Sequence, residues 1–495
     1  MEPFDSSAPR PLVYIPSIPI FDPLEFDRSL PSSQYTLIKT DDLRMMYKEI
    51  GRVQAYLHNL IHHGDAAQLL AIDDSKEAKP AAAAVECIPP EILSMIFEQL
   101  LPTQDNDLTP IQIPELKEIL LPGQICKSWR EAAIATPALW SSLQFNFNNP
   151  KNIVERMVHM ATTCIARAKN YPLFISYKTW YTDLTRYRPV IAVLFAHSNQ
   201  WHNLFIDSTG SAHEELWGAK GRLSMLYKLK VDYGQIKEWG SFDTFLTLPN
   251  LRILDLCNYG FQPWYEIGQF PSLPWRQLQQ IAFVGQARDA LELLRMSPSL
   301  QVFKVSLVGH SERLHHVHHA FLRELSVEGL PSDSDAIDLF GEVTLPALVS
   351  LSYAGEAFPR DAITSFVQRS KIEQSLHTFC LTLHKRRDTP LIPSSDISDC
   401  LERMPCLSQL SLHDLSNRYT DTGPFHSGDI SSICELLRPR SILPKLKRFS
   451  ITGPPQMSCI YLALMVGSRW RHAAGGLMRI QSVEINYSRP CAHAK

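Results

Sequence analysis

This sequence of 495 residues lacks three features: a large net charge, long apolar runs and closely paired cysteines. Lysine and arginine number 48 against 51 aspartates and glutamates, and the net charge of −3 argues against extended binding to nucleic acid. The longest apolar run, residues 459–467, is far too short to span a bilayer, so we expect no membrane insertion. Ten cysteines are scattered from Cys87 to Cys491 without paired spacing, which indicates reduced intracellular thiols.

Recognisable catalytic motifs are also missing. The sequence has no glycine-rich phosphate loop, no GxSxG elbow and no HExxH helix. Residues 315–319 (HHVHH) form the one metal-like cluster, but their neighbours are neither acidic nor rich in cysteine, which favours a solvated segment. Cys400 and Cys406 lack zinc-ribbon spacing. The sequence therefore predicts no cofactor, no metal and no enzyme activity.

The most informative stretch is residues 88–101 (IPPEILSMIFEQLL). Pro90 suits the first turn of a helix, and Glu91 places negative charge at the positive end of the helix dipole. Apolar residues then recur at helical spacing until Pro102. Further along come residues 126–130 (CKSWR) and 136–140 (TPALW). The spacing predicts a first helix that ends near residue 101, followed by a second helical segment.

Together these motifs resemble an F-box, most closely those of mushroom-forming fungi. The resemblance implies a small all-α three-helix module that docks onto the Skp-type adaptor of a cullin–RING ubiquitin ligase. Residues 103–114 lengthen the joint after the first helix, and Pro122-Gly123 interrupts the second, so the middle of the module departs from the pattern. The resemblance implies adaptor contacts at Ile88, Pro89, Ile92, Leu93, Ile96 and Phe97, with Trp129 and Trp140 holding the module together.

A chain of this length exceeds one core, so we expect several domains. Residues 1–40 are rich in proline and read as a flexible arm. Residues 41–72 contain a heptad-patterned helix, which either packs against its own protein or pairs with itself or a partner. Residues 73–85 read as a linker, 86–145 as the F-box, and 146–495 as a substrate-binding repeat domain.

The repeat appears as nine segments of the form L-x-x-[LIVF]-x-[LIVFY], with two looser copies. Their starts lie roughly 22 to 39 residues apart, and the lower part of that range is typical of leucine-rich repeats. The segments are 226–231, 251–256, 278–283, 300–305, 322–327, 348–353, 376–381, 407–412 and 446–451, and loosely 201–206 and 480–485. Helical patterns lie between them. The fold class predicted for this region is therefore an α/β horseshoe with a parallel sheet on its concave side, because stacked units merge their apolar side chains into one core.

Side chains beside the inward positions should point to the concave face, since successive strand residues alternate. The candidates for target contact are Lys230, Asp255, Lys304, Glu324, Ser352, Gln409 and Arg448. With the F-box resemblance, they predict a substrate-recognition subunit of an SCF-type (Skp–cullin–F-box) ubiquitin ligase in the cytoplasm or nucleus. The expected partners are the adaptor, the cullin–RING ligase through it, and an unknown protein substrate. Alternatives are a repeat scaffold that acts without ubiquitin transfer and an enzyme built on an α/β domain.

Overall fold

A computed structural model describes residues 88–99, 101, 119–148, 153–179, 184–208, 219–232, 245, 247–257, 273–309, 314–329, 334–383, 394–414, 434–435, 437, 442–453, 464–469 and 480–487. The chain divides into two units, residues 1–83 and 84–495, and all described residues belong to the second. The predicted arm, heptad helix and linker all lie outside the described residues.

The second unit begins with short helices. They are α1 (Pro90–Gln99), α2 (Pro122–Ile125) and α3 (Lys127–Ala135), followed by a 3₁₀ turn at Pro137–Trp140. Proline occupies the first position of α1, of α2 and of the turn, where its missing N–H leaves no helical bond unmade. Helix α1 packs against α3, and α2 packs against α3 as well. We call residues 88–140 the helical module.

A thirteen-stranded parallel sheet follows, with its strands in chain order. The strands are β1 (Ser142–Asn146), β2 (Leu173–Thr179), β3 (Trp201–Ser208), β4 (Lys228–Asp232), β5 (Ile253–Cys257), β6 (Gln280–Gly285), β7 (Val302–Leu307), β9 (Glu324–Gly329), β11 (Ser350–Gly355), β12 (Thr378–Leu383), β13 (Gln409–Asp414), β14 (Arg448–Gly453) and β15 (Ser482–Tyr487). Short strands β8 (Val317–His318) and β10 (Val343–Thr344) pair separately. Each unit thus adds one strand beside its predecessor, as a repeat protein does.

The strands of the large sheet from β4 to β15 share one register, whereas the register shifts between β2 and β3 at Leu173–Phe174. In β13, for example, buried Leu410 pairs with Phe379 of β12 and with Phe449 of β14. From β4 to β14 the second and fourth residues of these strands line up across the sheet, and their burial produces one continuous core. The leucine two residues before each of these strands, such as Leu407, turns into the same core. This geometry explains the L-x-x-L-x-L form: the spacing brings three side chains per unit to one side.

Helices connect many of the strands. They are α4 (Val154–Ala168), α5 (Arg188–Ala196), α6 (Ala287–Met296), α7 (Ser334–Glu342), α8 (Arg360–Ser370) and α9 (Ser394–Glu402). Consecutive helices α6 to α9 pack on one another and contribute buried side chains to the core. The opposite face of the sheet carries no described helix, and we call it the open face. It consists of the first, third and fifth residues of each strand in the register of β13.

All eleven predicted strand segments are strands, so the parallel α/β repeat is confirmed. The sheet nevertheless starts earlier than predicted. Strand β1 begins inside the range assigned to the F-box, and β2 matches no predicted segment. Strand β2 was missed because Leu173 lies two residues before the inward Ile175 instead of three, so its residues LFISYKT do not fit the repeat form. The parallel sheet therefore begins at Ser142.

Candidate interaction surfaces

The interior of the helical module is built from aromatic and aliphatic side chains. Leu93 and Phe97 of α1 are fully buried, and the Phe97 ring lies 5.3 Å from the Trp129 ring, centroid to centroid. Trp140 is buried and its Nε1 donates to the Ala133 carbonyl at 2.8 Å. The expected contact set needs a correction here. Leu93 and Phe97 are core residues and present no surface to a partner, because their positions in α1 face α3.

A second set of contacts joins the module to the start of the sheet. The Arg167 guanidinium of α4 lies 4.2 Å from the centroid of the Trp140 ring. The Thr136 hydroxyl oxygen lies 2.8 Å from the Ser94 hydroxyl and 2.8 Å from the Ala132 carbonyl oxygen, which ties the end of α3 to α1. Trp140 thus touches both α3 and α4 and links the module to the start of the sheet.

The surface of the helical module carries many apolar side chains. Six of the thirteen large apolar side chains that are exposed in the described part of the chain lie on it: Ile92, Met95, Leu120, Leu121, Ile125 and Ile134. We call these six the apolar set. Met95 is 61% exposed and Ile125 57%. Exposed apolar side chains are common singly, but their concentration on one small module marks an interaction surface.

The expected adaptor residues overlap this set only in part. Pro89 and Ile92 are exposed, whereas Ile88 and Ile96 are partly buried against the core. The other five members of the apolar set were not predicted. Met95 lies one turn beyond Ile92, so helical spacing alone would have found it. Ile125 of α2 and the preceding Leu120 and Leu121 were missed because Pro122-Gly123 made a helix there doubtful.

The side chains on the open face are buried at β4 and β5. There Lys228 is 4% exposed, Ile253 is fully buried and Asp255 is 9% exposed. Lys230 Nζ lies 2.8 Å from Asp255 Oδ2. These two residues were expected to be free contact residues, and that expectation is corrected: each is engaged with the other and largely withdrawn from solvent.

The accessible part of the open face runs from β7 to β15. Lys304, Glu324 and Arg448 are exposed there, and Ser352 and Gln409 are half-buried. The third strand residues form a row of small side chains in register: Ser326, Ser352, Cys380, Ser411 and Ser450. A row of small side chains keeps the surface of the sheet low, so this part of the face has room for a partner.

Potentially reactive groups in the described residues are largely locked in the fold. Burial raises the pKa of Cys164 and Cys434 to about 11 and that of Cys400 to about 12, so these thiols stay protonated near neutral pH. His319 is buried, and its Nε2 lies 3.0 Å from the Ser297 carbonyl oxygen while its Nδ1 accepts from the Leu322 N–H. Among the described residues no group of histidine, cysteine, aspartate or glutamate could hold a metal ion.

No helix in the described ranges is both long enough and apolar enough to cross a membrane.

No protein-family model matches the chain, and no curated protein matches it. Among solved structures, the leucine-rich repeat-containing protein LegL7 from Legionella pneumophila is 13% identical, with a TM-score of 0.36 over 57% of this chain and 90% of that one. A protein from Bacteroides fragilis is 10% identical, with a TM-score of 0.32 over 64% of this chain and 76% of that one. At these values neither similarity identifies a partner or an activity.

Proposed function

We propose that this chain is the substrate-recognition subunit of an SCF-type ubiquitin ligase. The helical module binds a Skp-type adaptor, and the repeats bind the target protein. Such a subunit performs no chemistry itself. It raises the effective concentration of the target's lysines near a ubiquitin-charged enzyme that is recruited elsewhere in the assembly.

The observation that carries the proposal is the apolar set on the helical module. Ile92 and Met95 lie on the side of α1 opposite the buried Leu93 and Phe97, so they cannot join the core without turning the helix over. Burying an apolar side chain of this size contributes roughly 1.5–3 kcal/mol. A partner that covers several of them gains a large share of the free energy of a tight complex. The F-box resemblance of the flanking motifs favours the adaptor as that partner.

The test uses the full chain and two matched variants. Ile92→Asp with Met95→Asp places two carboxylates in the proposed interface, and Ile337→Asp places one at a similarly exposed apolar position on α7. Burying an unpaired carboxylate costs several kcal/mol, so the first variant should lose the adaptor in a pull-down while the second retains it. Retention of the adaptor by the double variant would refute the proposed docking side of the module.

The scaffold alternative differs from the ligase proposal in one expected partner, which is cullin. Ligase function requires cullin to co-purify with the chain and its adaptor, whereas scaffolding requires the adaptor alone. Purification of the intact protein with the proteasome inhibited, followed by mass spectrometry, separates them. Recovery of adaptor without cullin would assign the scaffold role.

A further inference from the structure

The edge of the sheet at which the strands begin carries a concentrated positive charge. Lys445, Lys447 and Arg448 fall within four residues at the start of β14, and Arg323 immediately precedes β9. We call these four residues the basic edge. The chain as a whole is slightly acidic, with a net charge of −3, so the cluster does not follow from a basic composition.

The basic edge has no internal counter-charge. In the described part of the chain, none of its four cations lies within ion-pair distance of a carboxylate. Lys445 Nζ instead approaches Cys406 Sγ at 3.2 Å. Arg323, Lys445 and Arg448 are exposed and Lys447 is half-buried, so all four are open to a partner.

The residues beside Lys447 and Arg448 on the neighbouring strands are neutral. The backbone hydrogen bonds Lys447 N to Ser408 O and Gln481 N to Lys447 O place a serine and a glutamine on the two sides of Lys447. Arg448 pairs in register with Gln409 and Ser482. Glu324 follows Arg323, so the positive charge is greater at the β14 end than at the β9 end. Hydroxyl and amide side chains can donate hydrogen bonds to an anion that the cations attract.

The two ends of the basic edge are separated by a defined distance. Strand β9 is four places from β14 in the sheet order, which corresponds to about 19 Å at the usual spacing of parallel strands. A polypeptide laid across the strands spans that distance with about six extended residues. The row of small residues on the accessible open face lies next to this path, so a crossing segment meets no large side chain from Ser326 to Ser450.

From these observations we infer that the basic edge binds an extended acidic segment of the target protein, with carboxylate groups near both ends of a span of about six residues. This inference rests on the proposed function, because it names the kind of target that the repeats recognise. Unmodified acidic side chains fit better than a single phosphate. Two of the three cations at β14 are lysines, and charge is also spread to Arg323, whereas phosphate-binding sites favour clustered arginines that bind in a bidentate manner.

The test measures binding of labelled peptides to the full chain by fluorescence anisotropy. The probe is a ten-residue peptide with two glutamates near each end and neutral serine and glycine between them. One comparison peptide has glutamine in place of glutamate, and another has a single central phosphoserine in place of all four glutamates. A ten-nucleotide single-stranded RNA serves as the nucleic-acid comparison.

The glutamate peptide should bind, and added salt should weaken its binding because the contacts are exposed charges. Lys447→Glu with Arg448→Glu should weaken it at least tenfold, and Lys447→Gln with Arg448→Gln should weaken it by less. The control variant, Lys127→Glu with Arg156→Glu, makes the same change of charge on α3 and α4 and should change affinity less than twofold. Thermal melting of each variant establishes that it is folded.

Several results would overturn the inference. These are no binding of the glutamate peptide, equal binding of the glutamine peptide, equal loss in the control variant, or tighter binding of the phosphoserine peptide or of RNA. The assay contains no adaptor, so its failure leaves the adaptor pull-down untouched. Conversely, loss of the adaptor proposal leaves peptide binding measurable on the repeats.

Discussion

The sharpest prediction for the fold compares two adjacent residues of β13. Leu410 is fully buried between Phe379 and Phe449, whereas Gln409 lies on the open face. Leu410→Ala removes three carbons from a close-packed site, a loss of about 2.4 kcal/mol at about 0.8 kcal/mol per carbon. A residual cavity of about 50 Å³ adds about 1.2 kcal/mol. Gln409→Ala opens no cavity and should cost about 0.5 kcal/mol or less.

Amide hydrogen exchange across β13 measures the difference locally. A loss of about 3.6 kcal/mol should speed exchange of the protected β13 amides several-hundred-fold in the Leu410 variant, since each 1.4 kcal/mol is about tenfold. The Gln409 variant should exchange almost as the parent does. Similar acceleration in both variants would show that β13 does not bury one face and expose the other. The parallel register assigned to the strand would then be wrong.

Three further outcomes follow from single side chains. Trp140→Phe should cost about 1 kcal/mol more in urea-induced unfolding than Trp129→Phe, because only Trp140 Nε1 has a hydrogen-bond acceptor and Trp129 Nε1 is buried without one. Burial lowers the pKa of His319, so this histidine takes up a proton in the unfolded chain at a higher pH than in the folded chain. The free energy of unfolding should therefore keep its full value above about pH 6.5 and should fall as the pH drops below that value. His319→Gln should reduce this pH dependence in thermal melts taken from pH 8 to pH 5. Lys230→Met should destabilise the chain more than Lys230→Met combined with Asp255→Asn, since the single change leaves a largely buried carboxylate without its partner; equal losses would mean the ion pair is not coupled.

Much of the repeat fold was predictable because it depends on a local rule repeated along the chain. The spacing of Leu407, Leu410 and Leu412, for example, already contains both the strand and the turn before it. Strands β1 and β2 were not predicted by that rule. In β2, Leu173 precedes the inward Ile175 by two residues instead of three, and Phe174 is buried on the open side, so the segment does not match the later strands. The beginning of a repeat array packs against something other than another repeat, and its residues reflect that neighbour.

The candidate surfaces were harder to predict, since exposure depends on how elements pack. Helical spacing places Ile92, Leu93, Ile96 and Phe97 on a helix but does not say which of them face α3, and the structure divides them between core and surface. Asp255 on the sheet is a second residue whose exposure could not be predicted from the sequence. Its strand parity was predicted, but its ion pair with the neighbouring strand and its burial depend on residues distant in sequence.

The proposed function depends on the helical module being the docking site of the adaptor. Differential amide hydrogen exchange of the full chain, measured with and without purified Skp-type adaptor, tests this most directly. We expect slower exchange within residues 88–99 and 119–135 and unchanged exchange in strands β6 to β14. Protection located on the sheet, or no protection at adaptor concentrations that saturate a known F-box protein, would contradict it.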